Sequence, residues 1–219
     1  MKTLYQFLNE GRYDKISGTI VDAIWKCIKA TSVLGEHKKK TFELGEFSGP
    51  VYIDEVNFYI TREPIATGVA IDAGAYPSEN SLEIILTIDP NKEPQIYNKV
   101  NSLLQDAVRH EIEHLTQGGE NRIPDRPKIT PAKVRDKISF KNGNAYKYFV
   151  LKDEIPAMVN GMYRSAKTEK KPLDIVFNEY LDYYIGENII SQKQADSIIK
   201  TWIEYAKKNL PVAQYSKEY

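Results

Sequence analysis

Apolar residues follow three different rhythms along this chain. Near the start they recur at helical spacing. "TLYQFLNE" predicts a short helix ending at Gly11, and "DKISGTIVDAIWKCIKATSVLG" predicts a second, with Ile20, Ala23, Ile24, Cys27 and Ile28 on one face. The stretch "HKKKTFELGEFSGP" is polar and carries glycines, so it reads as a connector with the lysines 38–40 in a solvated loop. The period then shortens. "PVYIDEVNFYIT", "ATGVAIDAG" and "SLEIILTID" are rich in Val, Ile and Tyr and are separated by Pro, Gly, Ser and Asn. They predict neighbouring strands on short loops, in an antiparallel or mixed sheet. After "DPNKEPQ" the helical rhythm returns in "IYNKVNSLLQDAVRHEIEHLTQ", which Gly118 and Gly119 close. Residues 120–145 form a long irregular connection with three prolines. Helical patterning resumes in "YKYFVLKDEIPAMVNGMYRSAK", "PLDIVFNEYLDYYIGEN" and "SQKQADSIIKTWIEYAKKN". Helices, then sheet, then helices indicate an α+β fold. A single domain is expected, with N-terminal helices over 1–48, sheet and central helices over 49–168, and C-terminal helices over 169–219.

Composition narrows the function classes. Lys plus Arg and Asp plus Glu both number 30 in the 219 residues, so net charge gives no reason to expect a specific nucleic acid or an anionic membrane as partner. The lone Cys27 excludes an internal disulfide framework and a cysteine-built metal cluster, and its helical setting predicts a buried structural thiol. The N-terminal residues lack a signal-peptide pattern, and no run approaches the roughly 20 apolar residues that span a bilayer. A soluble, cytoplasmic protein is the expectation.

The candidate chemistry lies in "AVRHEIEHLTQGGE", residues 107–120. His110 and His114 sit about 40° apart around a helix and one turn along it, so both imidazoles can reach one ion. Ile96, Val100, Leu103, Leu104, Ala107 and Leu115 make one apolar stripe, and Asp106, Arg109 and Glu113 fall opposite it. Glu111 projects into the stripe, with the histidines within it or at its edge. A carboxylate facing a core is costly without a partner, and water activation beside a metal accounts for it. His-Glu-x-x-His is the pattern in which two histidines bind zinc and the glutamate acts as general base. The competing reading is a solvated histidine pair on a surface helix.

A catalytic zinc takes a third protein ligand. Peptidases with an extended motif would put it at Glu120, but Gln117 stands where that motif has its glycine, and His37 lies far upstream. Residues 50–168 instead resemble the gluzincin branch of the zincin-type zinc metallopeptidases, on His110, Glu111, His114 and the downstream "LKDEIPAMVNGMYRSAK". That resemblance implies a zincin-like fold, Zn²⁺ held by His110, His114 and Glu154, Glu111 as catalytic base, and a peptide or protein substrate. It also implies that "SLEIILTID" borders the cleft, and that the small Ala157 lets two helices approach. Pro156 cannot lie deep in a helix, so Glu154 is expected in a first turn capped by Asp153 or at a kink. Asp153 is the alternative ligand, and a solvated carboxylate the alternative reading of Glu154. Tyr146, Tyr148, Tyr163 and Arg164 are candidate oxyanion donors, with nothing to rank them.

Three other readings compete. One is a non-enzymatic structural or interaction protein on a zincin-like scaffold, which would have no use for a buried Glu111. Another is a deformylase-like amidase, whose cysteine ligand has no counterpart beyond Cys27. The third concerns the connector: eight Lys or Arg between Arg122 and Lys147, against Asp125 and Asp136, read as a solvated flap or as a site for an acidic substrate. The opening "MKTLYQFLNE" resembles the short amphipathic starts of tailed-phage proteins, which implies a phage-encoded peptidase.

Overall fold

The computed structural model of the chain describes residues 4–30, 38–43, 51–135, 137–138 and 144–216. The chain divides into two compact units, Met1–Arg126 and Pro127–Tyr219. Each unit has an apolar core of its own.

The first unit opens with a single helix, α1 (Leu4–Ala30), where two had been expected to meet at Gly11. A glycine inside a helix costs only about 1 kcal/mol relative to alanine, so it cannot end a helix that its neighbours favour. Tyr13, Ile16, Ile20, Ile24, Cys27 and Ile28 are buried along one face. Cys27 is therefore the buried thiol its setting predicts.

Four strands follow: β1 (Lys38–Glu43), β2 (Glu55–Arg62), β3 (Val69–Tyr76) and β4 (Ser81–Ile88). They form one sheet in the order β1-β2-β4-β3. β1 corrects the reading of residues 38–40 as loop, for it pairs antiparallel to β2 from Lys38↔Ile60 to Glu43↔Glu55. Backbone pairing to an available strand outweighs the poor β propensity of lysine, which is common on sheet edges. β2 and β4 run parallel while β3 and β4 run antiparallel, so the sheet is mixed. The register aligns Phe58 with Ile84 and Ile84 with Ala73, and the even spacing of side chains puts Leu82, Ile84, Leu86 and Ile88 into the core.

The long helix α2 (Tyr97–Leu115) adds Val100, Leu104, Val108, Ile112 and Leu115 to that core. Its opposite side is covered too. Arg109 and Glu113 are buried, at 2 % and 0 % exposure, and form an ion pair of 2.9 Å. Asp14 of α1 lies 3.6 Å from Arg109, the Tyr13 ring lies 5.2 Å beneath its guanidinium, and Arg126 also pairs with Glu113. These contacts fix α2 to α1. At the C-terminal end, Thr116 Oγ1 donates to the Glu113 carbonyl at 2.7 Å. Gly119 then adopts φ +60, and a Cβ there would stand 1.8 Å from the Pro77 carbonyl oxygen, so the chain can pass the β3–β4 turn only as glycine. Asn121 accepts from Tyr52 N at 2.5 Å and donates to Asn80 Oδ1 at 3.1 Å, tying the end of α2 to the loop before β2 and to the β3–β4 turn.

The second unit is helical. Its elements are the single turn α3 (Ala132–Arg135), a 3-10 helix (Ala145–Val150), α4 (Glu154–Glu169), α5 (Leu173–Gly186) and α6 (Gln192–Asn209). Phe149, Phe177 and Trp202 lie at the centre of its core, and Trp202 Nε1 donates to the Phe149 carbonyl at 2.9 Å. Ser191 begins α6 with a reciprocal capping box to Gln194. No described helix is long and apolar enough to cross a membrane.

Candidate metal centre

Helix α2 places its two histidines one turn apart, with ring centroids 4.8 Å apart and Nε2 atoms 3.1 Å apart. His114 is buried and its Nδ1 lies 2.8 Å from Gln117 Oε1. An amide oxygen only accepts, so Nδ1 carries the proton and Nε2 keeps its lone pair, the form in which imidazole binds a metal. In the sequence Gln117 stands out only as a departure from the extended motif. Its spacing of three from His114 was the available signal for its contact. Glu111 is 8 % exposed, and its Oε1 lies 3.9 Å from His110 Nε2. The general-base candidate therefore shares the side of the helix that bears the imidazole nitrogens.

Glu154 opens α4 in its first turn, as Pro156 requires. Asp153 occupies the N-cap position, but it makes no side-chain cap bond, which corrects the expected role. Its carboxylate accepts from Thr130 N at 2.7 Å and Thr130 Oγ1 at 2.5 Å, and it pairs with Arg135. A second guanidinium nitrogen of Arg135 pairs with Glu154 Oε1, and Nε donates to the Thr130 carbonyl at 3.1 Å. Burial disfavours the Arg135 cation, yet the carboxylates of Glu154 and Asp153 outweigh it and raise its pKa above the ordinary arginine value. Asp153 and Glu154 are both fully buried, so Glu154 is not a solvated surface carboxylate.

His110, His114 and Glu154 each offer one ligand atom, and these atoms lie within 4.8 Å of one another. Two imidazole nitrogens and one carboxylate oxygen are the donor set of a catalytic zinc site with a fourth position for water, so the residues fit Zn²⁺. Neither alternative ligand belongs to the group. Asp153 is engaged by Thr130 and Arg135, and the exposed Glu120 lies 3.4 Å from Asn80. His37 lies outside the described residues.

β4 is paired on both sides, by β2 and β3, so it offers no open edge to a substrate, and β3 is the terminal strand beside it. In the connector, Arg126 and Arg135 are engaged with acidic side chains, while Asp136 and Lys141 lie outside the described residues. Tyr146, Tyr148 and Tyr163 pack against the second core, with Lys167 Nζ 5.2 Å above the Tyr163 ring.

No protein-family model matches the chain, and no curated protein or solved structure does. The donor set by itself supports zinc-dependent metallopeptidase activity, and a set of this kind implies a peptide or protein substrate. His110-Glu111-x-x-His114 with the distal Glu154 matches the active site of a gluzincin-like zinc metallopeptidase.

Proposed function

We propose that this protein hydrolyses peptide bonds, with His110, His114 and Glu154 as the ligands of a zinc ion and Glu111 as the general base. The observation that supports this reading is that ligand atoms of His110, His114 and Glu154 lie within 4.8 Å of one another, with Glu111 on the same helix as the two histidines. Zinc bound there supplies a Lewis acid that polarises the scissile carbonyl and brings the pKa of water toward neutrality.

The protein's own residues supply the rest. Gln117 holds the His114 ring with Nε2 toward the ligand group. Glu111 Oε1 takes the proton of the attacking water and delivers it to the nitrogen of the departing amine, so one carboxylate serves both proton transfers. The low exposure of Glu111 keeps bulk water from competing for that proton.

Incubating the zinc-loaded protein with a mixed-sequence peptide library and reading the new termini by mass spectrometry tests this function. Cleavage is expected from the wild type. Glu111→Gln is expected to keep its zinc and to lose a factor of about 10²–10⁴ in rate, the usual contribution of a positioned general base. A zinc-loaded wild type that leaves the whole library uncut would overturn the peptidase assignment.

A further inference from the structure

The sequence gives no reason to connect Arg135 with Glu154, which stands 19 positions later. In the structure Arg135 is the residue that grips the third ligand. We propose that Arg135 is a positioning residue for the metal centre, a planar fork that holds the Glu154 carboxylate in its ligating orientation. The proposal rests on the zinc assignment above and deepens it.

The geometry carries the inference in three steps. First, Arg135 is itself held: Nε donates to the Thr130 carbonyl at 3.1 Å, and one terminal nitrogen pairs with Asp153. Second, Asp153 is fixed by Thr130, through the backbone N–H at 2.7 Å and the hydroxyl at 2.5 Å. Thr130, Asp153 and Arg135 thus close a ring that does not depend on Glu154. Third, the other terminal nitrogen reaches out of that ring to Glu154 Oε1. A glutamate side chain has three rotatable bonds, and anchoring one oxygen removes most of that freedom. A carboxylate has two oxygens, so an ion pair at Oε1 is compatible with coordination of a metal by the same group.

Charge neutralisation alone would not need this arrangement. The Arg135 cation repels a divalent ion, and the adjacent Asp153 offsets that repulsion, so the fork can orient the ligand without expelling the metal. Only a guanidinium spans two neighbouring carboxylates with parallel donors; lysine would bring the same charge to a single point. Outer partners of metal ligands typically contribute 10- to 100-fold in metal affinity.

The test compares wild type, Arg135→Ala and Arg135→Lys in the full chain. Zinc affinity is read by competition with a chromophoric chelator, and coordination geometry from the visible spectrum after Co²⁺ substitution. Positioning predicts zinc affinity about 10- to 100-fold weaker in Arg135→Ala. It also predicts that Arg135→Lys, although it restores the charge, recovers neither the affinity nor the wild-type cobalt spectrum. Should Arg135→Ala fail to fold, Arg135→Lys decides alone. Wild-type affinity and an unchanged cobalt spectrum in Arg135→Lys would overturn the proposal while leaving the zinc site intact. A wild type that binds neither zinc nor cobalt would overturn the zinc assignment itself, and this proposal with it.

Discussion

A histidine becomes a dependable metal ligand when something behind the ring decides which nitrogen keeps its proton. For His114 that is Gln117, buried at 1 % exposure with Oε1 2.8 Å from Nδ1. Replacing it by Leu keeps a side chain of similar volume and removes the acceptor. Gln117→Leu is expected to fold and to bind zinc about 10- to 100-fold more weakly, measured by chelator competition. Unchanged affinity would mean that packing alone holds the ring. The residues around this ring also mark how far the sequence could be read. His110, Glu111 and His114 were legible because the helical period alone puts them on one side. Glu154 was legible only through a family resemblance, since no local period connects it to α2. Gln117 stands three residues after His114, a local spacing the sequence shows, whereas Arg135 lies in an irregular connector that no amphipathic pattern includes. The contact of Arg135 with Glu154 is set by tertiary structure, not by the rhythm of the chain.

Helix α2 carries the two histidines and is covered on opposite sides by different chemistry. Toward the sheet it presents Val100, Leu104, Val108 and Ile112, and toward α1 it presents the buried pair Arg109–Glu113. A stripe argument assigns that second side to solvent, because charged residues usually mark an exposed face. Pairing with Asp14, Tyr13 and Arg126 lets these charges be buried instead. Arg109→Ala removes one of the two arginines paired with the fully buried Glu113 carboxylate, and breaking a buried ion pair costs up to about 3–5 kcal/mol. A clear drop in thermal midpoint is therefore expected, in place of the change of under about 0.5 kcal/mol typical of surface substitutions. The other elements sort by the same logic. β2, β3 and β4 were legible from composition and turn residues. β1 was not, because a lysine-rich strand exists only by virtue of the edge it pairs with. Likewise β4 was assigned to a cleft edge, and only the strand order shows it enclosed by β2 and β3.

Each unit folds around a core of its own, one built on Phe58, Ile84 and Leu104, the other on Phe149, Phe177 and Trp202. An ion that binds the folded chain and not the unfolded one stabilises it by mass action, whatever its catalytic use. Free zinc at 100 times its dissociation constant is expected to add about 2.7 kcal/mol, visible as a rise in thermal midpoint that a chelator reverses. A midpoint indifferent to zinc would count against a site that belongs to the native fold. The α+β class and the order of helices, sheet and helices follow from hydrophobic rhythm alone, whereas the division at Arg126 lies in a stretch without rhythm and could not be read from it. The most direct measurement is the metal content of the purified protein after dialysis against zinc and then metal-free buffer. It compares wild type with His114→Ala, Glu154→Ala and Glu120→Ala. One zinc per chain in the wild type and in Glu120→Ala, with the metal lost in His114→Ala and Glu154→Ala, is the result this site requires. A wild type without zinc, or a Glu154→Ala variant that keeps it at full strength, would contradict it.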